Sequence, residues 1–216
     1  MAGTTIDTTT RIIALADAAY QAFCNGVSTM LGVAMQCNRE QAGVDAVAAL
    51  ERRFPKLAVV HVVAADGILK GTFHLLFDQA GLFILPGTVI MLPKGRILEQ
   101  VELGSLEHTE SQQDAAREIG CLLVGSWDRV FRDECPGHKH FLKKASLIGK
   151  LSEKTGQMEL PAGAQVLLVL YKMTIEAYPS FTCAAVLPTS LLAGIDSPAP
   201  GPEGRGAAGL RVGAGG

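Results

Sequence analysis

Asp114, Glu118, Cys121, Gly125 and Asp128 recur at spacings of four, three, four and three. At 3.6 residues per turn this places them on one face of a helix. A carboxylate and a thiol one turn apart on such a face are groups able to grip and act on a partner. The small Gly125 lets another surface come close. Behind this stripe Ala115, Ile119, Leu122, Leu123, Trp127, Val130 and Phe131 form a broad apolar surface that can anchor the helix in a core. The plainer reading of Glu118 is a solvated face residue, and of Trp127, the only tryptophan, a core side chain. Ser111 followed by Asp114 fits an amino-terminal capping box, and the acids near that end suit the helix dipole. Arg129 and Arg132 on the flank could meet an acidic partner, although such arginines usually pair with neighbours such as Asp128 and Asp133.

The rest of the chain must position this helix. Thr8 or Thr10 caps a first helix that ends near Gly32, with Ile12, Ala16, Ala19, Phe23, Val27 and Met30 on its core side. Asp17, Gln21, Cys24, Asn25 and Ser28 fall on its polar side. A second helix is expected over Arg39 to Arg53, with Val44, Val47, Ala48 and Leu50 inward and Pro55 beyond its end. Two β-rich runs, Lys56 to Ala65 and Leu69 to Phe77, flank Asp66-Gly67, a hairpin signal. Gly81 to Leu92 is apolar on all sides and carries Pro86-Gly87, so a kinked helix and strands both fit its periodicity. Ser105 to Gln113 is a polar approach to the site helix. Strands are expected at His140 to Ile148, Ala164 to Ile175 and Pro179 to Leu187, with Val166 to Leu170 central in the sheet. Helix and strands followed by helix and strands is a rough internal duplication.

Three segments in this order carry a family resemblance. Glu118-Ile119-Gly120-Cys121, running on into GSWDRVF, resembles the Glu-x-x-Asn helix of the CheC/CheX/FliY chemotaxis phosphatases. AAYQAFCNGVSTMLGVAMQ resembles the opening helix of the CheX branch. GTFHLLFDQAGLFILPGTVIMLP is similar to the strand and apolar element placed before the active-site helix, and in that comparison Gly81 to Leu92 is helical. The resemblance implies an α+β fold over residues 10–190, a pseudo-twofold αββ arrangement with an antiparallel sheet packed against long helices. It also implies that the partner is a phosphorylated CheY-type response regulator whose aspartyl phosphate is hydrolysed, with dimerisation through a sheet edge. In the family the glutamate grips the regulator and the asparagine amide orients the attacking water. Glu118 matches the first role, whereas Cys121 stands where the amide belongs. A thiol is a weak donor and a weak acceptor, so hydrolysis is expected to be weakened. The first helix offers only Gln21-Ala22-Phe23-Cys24, so a single site is expected, with Glu118 and Cys121 catalytic and Asp114, Gly125 and Asp128 binding the partner. No cofactor is expected in the chain, and any Mg²⁺ belongs to the regulator. The alternative is a noncatalytic chemotaxis or flagellar-switch adaptor built on the same fold.

Composition narrows the classes. At 216 residues the chain can bury a sizeable core. A net charge of -2 and pI near 6.2 supply no basic field for nucleic acid. No apolar run reaches the roughly 20 residues that span a bilayer, and MAGTTIDTTTR lacks the charged start and apolar core of a secretory signal. A cytoplasmic location is expected. Five scattered cysteines form no disulfide framework. Cys135-Pro136-Gly137-His138-Lys139-His140 could ligate a metal, but it reads first as a turn entering a strand, and no metal site is expected. The acids around Cys121 argue against a nucleophilic thiol. Residues 1–9 are expected to be flexible. Residues 191–216, rich in Pro, Gly and Ala, are expected to be a disordered tail.

Overall fold

A computed structural model describes residues 3–161 and 163–192, with side chains from residue 8 onward. The first apolar period forms a long helix, α1 (Gly3–Leu31), starting ahead of the Thr8 or Thr10 cap expected for it. It stops at Gly32, whose φ of +65° is a left-handed terminator that glycine adopts without strain. Ile12, Ala16, Ala19, Phe23 and Val27 are buried as their spacing predicts, but Met30 is exposed and Cys24 lies inside.

The helix expected over Arg39 to Arg53 is corrected. Met35–Ala46 is a strand, β1, and only α2 (Ala48–Arg53) is helical. Most of the β1 side chains are at least partly exposed, with Val44 turned to solvent rather than inward. The strand state is therefore fixed by backbone pairing with the distant segment Gln165–Ile175, and no local period records it. Next come β2 (Leu57–Asp66) and β3 (Gly71–Phe77), antiparallel as the Asp66-Gly67 signal predicts.

Gly81 to Leu92 resolves to a helix, α3 (Gln79–Val89). Asp78 caps it by accepting from Gly81 N at 2.9 Å, and Leu82, Phe83, Ile84 and Leu85 are all buried. A helix enclosed all round shows no amphipathic stripe, which is why its period was ambiguous. α4 (Lys94–Leu103) was not expected at all. It buries only Ile97 and Gln100 and ends on Gly104 at φ +58°. Then follow α5 (Glu110–Glu134), β4 (His140–Lys150), α6 (Leu151–Lys154) with a 3₁₀ turn over Thr155–Gln157, β5 (Gln165–Ile175), β6 (Phe181–Pro188) and α7 (Thr189–Leu192). Of the 191–216 segment, Leu191 and Leu192 are buried in α7, and residues 193–216 lie outside the described residues. Of the 1–9 segment, residues 3–9 belong to α1.

The six strands among the described residues form one antiparallel sheet in the order β1-β5-β6-β3-β2-β4. Exchanging β1 with β4, β2 with β5 and β3 with β6 returns the same order read backwards. The two α-then-strands halves are thus related by a pseudo-twofold between β3 and β6, and each lends its first strand to the other's hairpin. α1 and α5 pack together on one face of the sheet, over a core containing Tyr20, Phe23, Phe73, Phe77, Trp127 and Phe131. The opposite face buries Val60, Leu76, Val166, Leu168 and Val186 under Leu50, Phe54, Leu151 and Met158. This architecture is α+β, as the sequence reading anticipated.

Candidate functional site

The inner face of α5 is set by large apolar side chains. Trp127 is fully buried and meets Tyr20 edge-on at 5.6 Å, Phe73 at 5.5 Å and Phe131 in a stack at 5.8 Å. Ala116 and Ile119 are buried in the same core as Val59, Phe77, Leu82 and Leu85. Each large side chain so buried contributes about 1.5–3 kcal/mol, so the helix is rigidly seated. Gly120 is a point of close approach to the sheet. A Cβ added there would fall 2.5 Å from His61 Cε1, on a ring whose Nδ1 lies 2.9 Å from Ser146 Oγ. Burial, assisted by the nearby Lys143 charge, pulls the His61 pKa down to about 3, so the ring is neutral. Lys143 itself donates from Nζ to the Arg117 carbonyl at 2.5 Å, tying edge strand β4 to the turn that bears Glu118.

The start of α5 differs from the expected capping box. The helix begins at Glu110 after Thr109, and no side chain caps it: the Thr109 hydroxyl donates instead to the Leu106 carbonyl at 2.7 Å. Ser111 already lies inside the first turn.

The outer face carries Asp114, Glu118, Cys121, Leu122 and Gly125, all exposed. Asp114 is paired with Arg117 at 2.5 Å. Glu118 has no hydrogen bond or ion pair to another described residue, so its carboxylate is available to a partner. Cys121 is an exposed free thiol one turn further on. Leu122, expected in the core, is 46% exposed and adds an apolar spot beside the thiol. Gly125 has open space where a Cβ would stand. Asp128 is different. Its Oδ1 accepts from His138 Nε2 at 2.8 Å and from Phe141 N at 2.7 Å, and Oδ2 pairs with Arg132. This carboxylate closes the connection from α5 to β4 and is committed within the chain. Arg129 remains exposed on the flank.

His138 packs with Phe131 and Phe141 and Cys135 is buried, so both serve the turn that enters β4. Among the described residues no group of three or more His, Cys, Asp or Glu side chains is arranged to hold a metal. Cys24, Cys37 and Cys183 meet between α1 and the sheet. The Cys24 thiol is pushed up by its hydrogen bond with Cys37 and by burial. Asp17, placed on the polar side of α1, accepts from Tyr171 Oη at 2.9 Å and pairs with Arg39 at 3.1 Å, fastening α1 to β1 and β5. Among the described residues no helix is long and apolar enough to cross a membrane.

A pseudo-twofold six-stranded sheet beneath two long helices is the CheC/CheX/FliY fold. The chain is similar to FliY of Thermotoga maritima, with a TM-score of 0.72 and 17% identity over 88% of this chain and 93% of that one. It is also similar to the FliM middle domain of H. pylori, with a TM-score of 0.68 and 10% identity over 87% of this chain and 98% of that one. A chain of the FliG-FliM complex from H. pylori is similar with a TM-score of 0.66 and 12% identity over 89% of this chain and 100% of that one. No family model and no curated protein matches the sequence.

Proposed function

We propose that the chain is a docking protein of the chemotaxis and flagellar-switch kind, binding a phosphorylated CheY-type response regulator through the outer face of α5. The observation that carries this reading is an exposed Glu118 with no partner of its own, on a helix locked to the core, one turn from Cys121 and two from the open Gly125. In the bound state Glu118 accepts hydrogen bonds from a cationic group beside the phosphorylated aspartate, and Leu122 supplies apolar contact. Asp114, shared with Arg117, guides approach at the rim. Asp128 acts indirectly, by fixing the end of α5 against β4.

Hydrolysis by this face is slow. A phosphatase must hold the attacking water in line, and positioning is most of what a protein adds to phosphoryl transfer. A thiol lacks the paired donor and acceptor that would hold the water. A purely noncatalytic adaptor is the second reading, favoured by the exposed thiol and by a similar structure that is itself part of a FliG-FliM complex. Titration of the isotopically labelled protein with phosphorylated and unphosphorylated regulator tests the docking assignment. The proposal expects shifts centred on Glu118, Cys121 and Gly125 that depend on phosphorylation. Shifts confined to other surfaces would overturn the docking assignment.

A further inference from the structure

Cys24, Cys37 and Cys183 form a cluster that the outer face of α5 does not use. Met35, Cys37 and Arg39 alternate along β1, so all three turn toward α1. α1 runs back over β1, and two contacts fix its register. Met35 N donates to Ser28 Oγ at 3.0 Å, and Arg39 Nε pairs with Asp17 Oδ1 at 3.1 Å. Cys24 lies one turn before Ser28, about 6 Å along the helix, and Cys37 lies two residues after Met35, about 6.6 Å along the strand. The two thiols therefore meet at the same level, and they are hydrogen-bonded to each other. Cys24 is buried, whereas Cys37, on the edge strand, is partly exposed. Cys183 also hydrogen-bonds to Cys37, but from the far side of β5: Cys37 stands opposite Met173, and Cys183 opposite Tyr171. Two strand spacings separate those backbones by at least about 9 Å, beyond the roughly 7 Å that a disulfide spans.

We propose that Cys24 and Cys37 are a thiol–disulfide exchange site whose substrate is a small disulfide such as oxidised glutathione. Cys37, the accessible thiol, attacks one sulfur of the glutathione disulfide as its thiolate. A Cys37–glutathione bond forms, the glutathione S–S bond breaks, and one reduced glutathione leaves. Cys24 then attacks the Cys37 sulfur, forming the Cys24–Cys37 disulfide and releasing the second glutathione. Each protein thiol yields its proton to a departing glutathione thiolate, so the pair loses two electrons and two protons while one glutathione disulfide becomes two reduced molecules. Cys24 holds its proton through the hydrogen bond to Cys37 and through burial, and Cys37 chiefly through its bond to Cys183. The exchange is therefore slow, on the scale of minutes to hours. The product pins the carboxy-terminal half of α1 to β1, which has a neighbouring strand on one side only. The site uses none of the residues assigned to regulator docking and stands whether or not that docking occurs.

The test incubates the full chain with oxidised glutathione, quenches with acid, alkylates the remaining thiols and maps the tryptic peptides. Cys24 and Cys37 share the peptide of residues 12–39, Cys121 lies in that of residues 118–129, and Cys183 lies in a third. Peptide 12–39 should become lighter by two hydrogens and take up no alkylating agent. The melting temperature should rise by about 5–10 °C, reversed by dithiothreitol. Cys24→Ala should instead trap one glutathionyl group on Cys37, and Cys37→Ala should leave the enclosed Cys24 unmodified. Cys183→Ala, which removes the hydrogen bond holding the Cys37 proton, should form the same disulfide faster. A peptide 12–39 that keeps two alkylatable thiols would mark these cysteines as core packing alone and overturn the proposal. So would a disulfide joining Cys37 to Cys183, or a Cys24→Ala variant that takes up no glutathione at Cys37.

Discussion

Gly120 and Gly125 are both glycines inside α5, yet the fold gives them opposite roles, and alanine at each position measures the difference. In an open helix interior Gly→Ala stabilises by about 0.8–1 kcal/mol through propensity alone. Gly125 has nothing within 4 Å of an added Cβ, so Gly125→Ala should gain that full amount. At Gly120 the same methyl would stand 2.5 Å from His61 Cε1 and 3.0 Å from Cγ. The ring cannot swing freely away, being fully enclosed and bound to Ser146. Overpacking of this kind costs about 1–3 kcal/mol, so Gly120→Ala should lose up to about 2 kcal/mol after the propensity gain is deducted. For a domain of this size 1 kcal/mol moves Tm by about 2–4 °C. Circular dichroism melts and guanidinium titrations should therefore place the two variants on opposite sides of the wild type. Combining Gly120→Ala with His61→Ala should recover about 1 kcal/mol or more relative to the sum of the single changes. If Gly120→Ala stabilises as much as Gly125→Ala, the seating of α5 on His61 is wrong.

His61 and His74 are held neutral with pKa values pulled down mainly by burial, to about 3 and about 4. The unfolded chain takes up their protons near pH 6.5 while the folded chain does not, so their contribution is intact above pH 6.5 and is lost as pH falls. Together they should remove about 4 kcal/mol between pH 7.5 and pH 5, by about 1.4 kcal/mol per histidine per pH unit, and substituting either by glutamine should flatten the measured curve. Met91 sits at φ +57° just past α3, where Leu92 N donates to Gly87 O at 2.9 Å and Met91 N to Thr88 O at 3.1 Å. That is the terminating turn in which glycine is preferred, so Met91→Gly should stabilise by about 0.5–1 kcal/mol in denaturant titrations. Asp128→Ala leaves the His138 and Phe141 donors unmatched and should cost about 2–3 kcal/mol, whereas Asp114→Ala, at an exposed pair, should change stability by less than about 0.5 kcal/mol. Equal effects would place both acids in the same environment, contrary to their geometry.

Elements with a strong local pattern were legible in the sequence. The stripe of α5, the core side of α1, the β2–β3 hairpin and the apolar run of β5 all declare themselves by spacing, and the exposed Glu118 and Cys121 lie on the face predicted for them. Elements fixed by distant contacts were not. β1 is a strand because its backbone pairs with β5 more than a hundred residues later, and its largely solvated side chains leave no alternation to read. α4 was missed because only Ile97 and Gln100 of ten residues turn inward. The Ser111 capping box failed because the loop before α5 directs Thr109 to Leu106 and starts the helix earlier. Asp128 shares a helical face with Glu118, but the returning strand claims its carboxylate through Phe141 N, a contact that spacing along α5 does not contain. The closeness of His61 to Gly120 is likewise a product of the sheet beneath the helix.

The proposal at stake is that α5 presents a regulator-docking face on which Cys121 weakens the hydrolytic step. The most direct measurement is the decay of a phosphorylated CheY-type regulator with wild-type protein, Glu118→Ala and Cys121→Asn compared side by side. The account predicts little acceleration by the wild type, at least about tenfold faster decay with Cys121→Asn, and loss of that gain when Glu118→Ala is added. Rapid hydrolysis by the wild type that Cys121→Asn leaves unchanged, or a gain that survives Glu118→Ala, would contradict it.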